Sequence, residues 1–265
     1  MKALIKWGIW QKRWFVGWWS LAIFSLIFIN LIFYPSFKDQ AAQLEQSFAS
    51  IPESARSLFS DTGDLFSPVG YLSSQVFYLM LPMLLGILAI VLGSSLIARE
   101  EKEGTVELLL SRPVSRSSFL LSKATVGIVI VLIAATVAEV ATVALSKMVG
   151  LAVPSDNIAL ATVAATIIAL SFGAVAFAIT SLGKARVASV GLASLFALGG
   201  YIIASLSGAA TWLKWPSKVF PFHYYKPSEI LQDTYNWNNM WFMVAIIAAS
   251  AVVSYIAFRR RDISN

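Results

Sequence analysis

The 265-residue chain contains no cysteine. Disulfide frameworks, cysteine-ligated zinc or iron–sulfur centres and thiol nucleophiles are therefore excluded. His223 is the sole histidine, so neither a multi-histidine metal site nor a pair of imidazoles can be assembled. No Gly-x-x-x-x-Gly-Lys-Ser/Thr string occurs, and the chain cannot cradle a nucleoside triphosphate by that device. Charge is scarce as well. Asp, Glu, Lys and Arg make up 13% of the chain against 58% hydrophobic residues, too little charge for the surface of a soluble domain of this length.

In place of these the chain has apolar runs of about 20 residues, the length a helix needs to cross a bilayer. Its mean hydropathy is +0.74. In lipid every backbone polar group must be satisfied inside a helix or a closed barrel. The runs are too continuous for barrel strands, which alternate over roughly ten residues. The fold class is all-α, a polytopic membrane protein with six transmembrane helices. The expected spans are residues 14–34, 71–98, 117–148, 157–182, 186–206 and 239–258. A cleaved signal peptide would show a shorter apolar core, so Trp18, Trp19 and the run to Tyr34 read as an uncleaved first span. Residues 1–13 mix Lys2, Lys6, Lys12 and Arg13 with Trp7 and Trp10, which suits an amphipathic helix at the membrane surface.

The connections differ in character. In the polar segment 35–70, Phe37, Ala41, Leu44, Phe48 and Ile51 fall on one helical face. Ser50-Ile-Pro-Glu53 has the form of a capping box that starts a second short helix. Pro82 removes a backbone donor within span 2 and predicts a kink there. Residues 207–238 form an aromatic loop in which Trp212, Trp215, Tyr224 and Tyr225 read as markers of a membrane interface.

Lys and Arg sort the two faces. Fourteen of the 20 fall on one side: Lys2, Lys6, Lys12, Arg13, Arg99, Lys102, Arg112, Arg116, Lys123, Lys184, Arg186, Arg259, Arg260 and Arg261. Six fall on the other. The positive-inside rule then puts both termini and the 99–116 segment in the cytoplasm of a multi-pass plasma-membrane protein, of prokaryotic origin by expectation. The net charge of +6 is thus a topology signal and an attraction to the lipid bilayer, with no nucleic-acid partner implied.

Residues 99–116 form the one charge-dense stretch between two long apolar runs. Glu100, Glu101, Glu103 and Glu107 suit the positive end of a short helix over 101–111. Val106, Leu109 and Leu110 give that helix an apolar side. Pro113 discourages its continuation, and Ser115 or Ser117 can cap span 3. Such a knob offers leucines to a partner's pocket and carboxylates to a basic rim. A plain solvated turn is the alternative, but successive leucines in water are then hard to explain.

The string Glu101-x-Glu103-Gly104-Thr105-x-Glu107-Leu-Leu-Leu-x-x-Pro113-x-Ser115-Arg116, with Leu109 and Leu110 at its centre, resembles the coupling-helix segment of ABC-2 type transporter permeases. Leu65-Phe-Ser-Pro-Val-Gly-Tyr71, Pro82, Lys123 and the span count extend the resemblance over nearly the whole chain. The resemblance implies an elbow helix over 1–13, a cytoplasmic coupling helix and an external re-entrant segment within 207–238. It implies a permease subunit that exports a hydrophobic or amphipathic substrate, such as a drug, a peptide antibiotic or a lipid-linked molecule. Its expected partners are two copies of an ATP-binding subunit and a second permease, identical or paralogous. ATP and Mg would sit on the ATPase, with no cofactor, metal or catalytic residue on this chain.

Glu139 is the clear carboxylate inside a span. An ionisable group there is a functional candidate by default. About 20 residues into span 3, or roughly 30 Å of rise, it approaches the far leaflet. A substrate or proton role stands against the plainer one of a snorkelling or inter-helix hydrogen-bonded carboxylate. An ATP-independent carrier or channel, the second reading of the chain, would need more intramembrane charge than Glu139 and would work without a partner. A third reading, an intramembrane enzyme, lacks a catalytic pair, because Ser171 and Ser194 have no evident base. Gly191, Ser194, Gly199 and Gly200 allow close helix approach along span 5, within the chain or at a dimer seam.

Overall fold

The structure, a computed structural model, describes residues 2–61, 64–98, 115–183 and 185–260. Among these residues there is no strand, and six helical stretches are long and apolar enough to cross a membrane. The elements are α1 (Lys2–Gln11), α2 (Arg13–Ile32), α3 (Tyr34–Asp39), α4 (Ala41–Ala49), α5 (Glu53–Arg56), α6 (Pro68–Leu72), α7 (Met80–Ser95) and α8 (Arg116–Met148). After them come α9 (Ser155–Ser181), α10 (Arg186–Leu206), α11 (Lys214–Ser217), α12 (Pro221–Tyr224), α13 (Pro227–Leu231) and α14 (Met240–Arg260).

The helix ends follow local chemistry. Ser67 accepts from the Gly70 N–H at 3.0 Å and Pro68 stands at the first helical position, so α6 starts with both of its usual signals. At the end of α8, Gly150 adopts φ +69°. The Leu151 N–H donates to Ser146 O at 2.9 Å and the Gly150 N–H to Lys147 O at 3.3 Å. This is a Schellman turn, which needs a residue free to take positive φ.

Pro82 lies inside the second span, Pro68–Ser95, and the helix is interrupted just before it. A π turn over Ser73–Phe77 leads to a break at Tyr78–Leu79, the place where the Pro82 ring meets the preceding turn, so the expected irregularity is present. The second short helix starts where the Ser50-Ile-Pro-Glu53 pattern puts it, as α5, and the Ser50 hydroxyl also serves the end of the helix before it. It donates to Ser47 O at 2.6 Å at the C-terminal end of α4.

The paired helices α7 and α9 form the middle of the bundle, with α8 and α10 against them. Lipid gives apolar side chains no drive to leave it, so close backbone approach must hold such helices together. Small residues provide that approach. A Cβ on Gly93 would lie 2.4 Å from Gly173 O, and one on Gly173 would lie 2.7 Å from the Ala89 methyl. The α1 helix lies on α8, with Gly8 against Val126. Hydroxyls of Thr142, Thr162, Thr166 and Thr180 bond back to carbonyls four residues earlier, so the buried span interiors hold no stranded hydroxyl at those positions.

Candidate functional site

Eight of the proposed coupling residues, Glu101, Glu103, Gly104, Thr105, Glu107, Leu109, Leu110 and Pro113, lie outside the described residues. The frame on either side of them is described. Ile97, just past α7, is fully buried with Phe119, Leu120 and Phe258 in a small cluster separate from the main core. Phe119 of α8 stacks on Phe258 of α14 at 5.8 Å between centroids. Phe177 of α9 packs against the same cluster.

Of the two serines able to cap α8, Ser115 is the cap, with its Oγ accepting from the Ser118 N–H at 3.1 Å. Ser117 turns its hydroxyl to Tyr255 of α14. The Arg116 guanidinium donates to Arg259 O at 3.4 Å. Lys123 is almost buried, and its ammonium lies 5.3 Å from the Phe119 ring centroid, a cation–π approach in a low-dielectric setting. Entry to and exit from residues 99–114 are therefore fastened to each other and to α14.

Glu139 stands apart from this frame. It is half-buried in the last third of α8, and among the described residues its carboxylate makes no hydrogen bond or ion pair. Ser115 and Arg116 lie at the opposite end of the same helix, so the structure does not bring Glu139 to the coupling frame.

At the end away from the termini, polar groups cross between elements. Asp61 accepts from Ser73 Oγ at 2.9 Å, from the Ser228 N–H at 2.9 Å and from Ser228 Oγ at 2.7 Å. The Tyr78 hydroxyl lies 2.8 Å from both Ser57 O and Ser205 Oγ. Tyr201 donates to Leu58 O, and Tyr225 donates to Phe77 O at 2.8 Å. Tyr225 is fully buried, so it is a strut and not an interface marker. Trp212 and Trp215 are about three-quarters exposed, as interface residues should be.

Burial pushes the Tyr225 phenol well up, reinforced by the nearby Asp61, and Tyr225 stays a neutral donor. His223 pairs its Nδ1 with Ser217 Oγ at 2.9 Å. Burial, then Lys226 and Lys218, holds its imidazole below the ordinary value. None of these struts announced itself in the sequence. Most join residues far apart in the chain, and a Tyr or Asp carries no local signal of its partner.

No group of three or more His, Cys, Asp and Glu side chains able to hold a metal occurs among the described residues. No curated protein matches the chain. The family profile described as ABC-2 family transporter protein matches residues 12–263.

Proposed function

The chain belongs to the ABC-2 family of transporter proteins, membrane subunits that work with an ATP-binding subunit, and on that premise we propose that it couples ATP hydrolysis on that partner to export. Residues 101–111 are the coupling helix in this reading. Two ATPase subunits dock below a pair of permeases, and residues 2–11 form the elbow at the cytoplasmic surface. The exported substrate is hydrophobic or amphipathic, in keeping with a span interior lined by apolar and hydroxyl side chains.

One observation carries the proposal. The acidic, leucine-bearing segment is fastened at both ends to a frame that joins α7, α8 and α14 through Ile97, Phe119 and Phe258. A force applied to the segment is passed to three spans at once, because close-packed side chains transmit displacement. Leucines supply the buried anchor and carboxylates the steering for a partner surface.

The test is co-expression with the cognate ATP-binding subunit and purification through this chain. Wild type should retain the ATPase, and Leu109→Asp/Leu110→Asp should lose it while remaining folded and monodisperse. Retention by the double variant would end the coupling assignment. The carrier reading draws on Glu139, the half-buried carboxylate of α8. It predicts transport without ATP, abolished by Glu139→Gln. An unchanged rate and pH dependence in that variant would remove it.

A further inference from the structure

An apolar cavity of about 150 Å³ lies within the single chain, where α14 crosses α9 and α8 beside α7. Its walls include Gly93 of α7, Gly127 and Ile128 of α8, Gly173 of α9, and Ile247 and Ala251 of α14. The glycines are committed elsewhere. Gly93 and Gly173 bring α7 and α9 together, and a Cβ on Gly127 would meet Leu96 at 3.1 Å. The close approach of α7 and α9 leaves a hollow on their flank that no side chain of α14 fills.

The cavity is not sealed. Ile128, which lines it, is 44% exposed, so the mouth opens on the bundle surface between α8 and α14. Towards the termini the hollow is closed by Phe177, which packs on the Phe119–Phe258 pair. The wall is apolar, and the Ser254 hydroxyl is turned back to Ser250 O at 2.7 Å. An apolar volume of about 150 Å³ is large enough for a group the size of a six-carbon ring.

The same two helices that frame the mouth end in cationic residues. Arg116 opens α8, and Arg259 and Arg260 close α14. From that charged end to Gly127 on α8 and to Ser250 on α14 is about 15 Å of helix rise. Half the hydrocarbon thickness of a bilayer is also about 15 Å. A phosphate near the arginines therefore places the far part of its acyl chain at the mouth.

We infer that this cavity is a binding site for one acyl chain of a resident anionic phospholipid, whose phosphate is held at the arginine-bearing ends of α8 and α14. The site lies inside one subunit and does not depend on the transport reading. A chain end in the hollow restores the dispersion contacts that α14 leaves unmade. The paired helix ends favour an anionic headgroup over a zwitterionic one.

The experiment uses the full chain in vesicles of phosphatidylcholine and phosphatidylglycerol, with tracer phosphatidylglycerol that carries a diazirine near the end of one acyl chain. After irradiation, adducts are mapped by peptide mass spectrometry. Adducts should concentrate on residues 124–131 and 247–254 and be sparse on Leu195, which is 69% exposed on α10. Ala251→Phe fills the hollow and should cut labelling about tenfold, the loss expected when about two methylenes lose their burial, while the melting temperature holds or rises. A tracer of phosphatidylcholine should label the mouth severalfold less.

Adducts spread evenly over the exposed helix faces would overturn the site even if Ala251→Phe failed to fold. Unchanged labelling in a folded Ala251→Phe, or a second copy of the chain cross-linked at the mouth, would do the same. Equal labelling by phosphatidylcholine would overturn the anionic assignment.

Discussion

At the end that carries the termini, the buried contacts between helices are rings and methyl groups, Phe119 on Phe258 with Ile97 and Leu120 beside them, and the bonds from Arg116 and Ser117 to α14 lie outside that cluster. At the far end they meet through hydroxyls and a carboxylate: Asp61 on Ser73 and Ser228, Tyr78 on Ser57 and Ser205, Tyr225 on Phe77. Apolar contacts are non-directional and tolerate sliding. A hydrogen bond weakens steeply when its angle is lost. The directional bonds make the far end resist rearrangement, and the apolar contacts let the near end permit it. The near end is where the proposed coupling segment is fastened.

The contrast can be broken from either side. Gly104→Pro should give the largest effect. Proline within a helix costs about 3 kcal/mol, roughly a hundredfold in the population of the competent segment. Transport by proteoliposomes that also hold the ATPase should fall on that scale, with the melting temperature unchanged. Asp61→Ala should do the reverse. Three donors lose their acceptor, at a cost of about 3 kcal/mol in folding stability. Melting curves should shift strongly downward while the ATPase still co-purifies. Tyr78→Phe sharpens the point with about 1 kcal/mol of the same kind of loss. If it lowers stability no further than a surface substitution does, the hydroxyl bridge between Ser57 and Ser205 is not a strut.

The smallest effect is a pH dependence confined to the far end. The folded state holds the His223 imidazole below the value of about 6.5 that it has in the unfolded chain. As pH falls through that value the unfolded chain takes up a proton that the folded chain refuses, so stability decreases. Between pH 7.5 and 5.5 the melting temperature should drop in wild type. The drop should be smaller in His223→Gln, and an identical slope in both would remove the assignment.

The six spans were legible because each needs a long uninterrupted apolar run, and such runs survive any tertiary context. The way the spans pack was not. Gly86, Gly93 and Gly173 are visible as small residues, but their partners (Phe172, Gly173 and Ala89) follow only from the crossing of α7 and α9. Tyr225 misled because an aromatic in a wet loop and a buried strut share one residue type. The charged segment at 99–116 stood out from its apolar flanks, but most of it lies outside the described residues. The frame that holds it joins Phe119 to Phe258 across most of the second half of the chain, a separation at which sequence pattern carries no information.

One helix has a length that bears on how far a partner could move the bundle. With 33 residues, α8 is about 50 Å long, well beyond the hydrocarbon thickness. Its far end closes in the turn at Gly150, and its near end carries Ser115 and Arg116. A rigid rod of that length acts as a lever arm. A tilt of about 5° about the far end sweeps the near end through about 4 Å, the rise of about three residues.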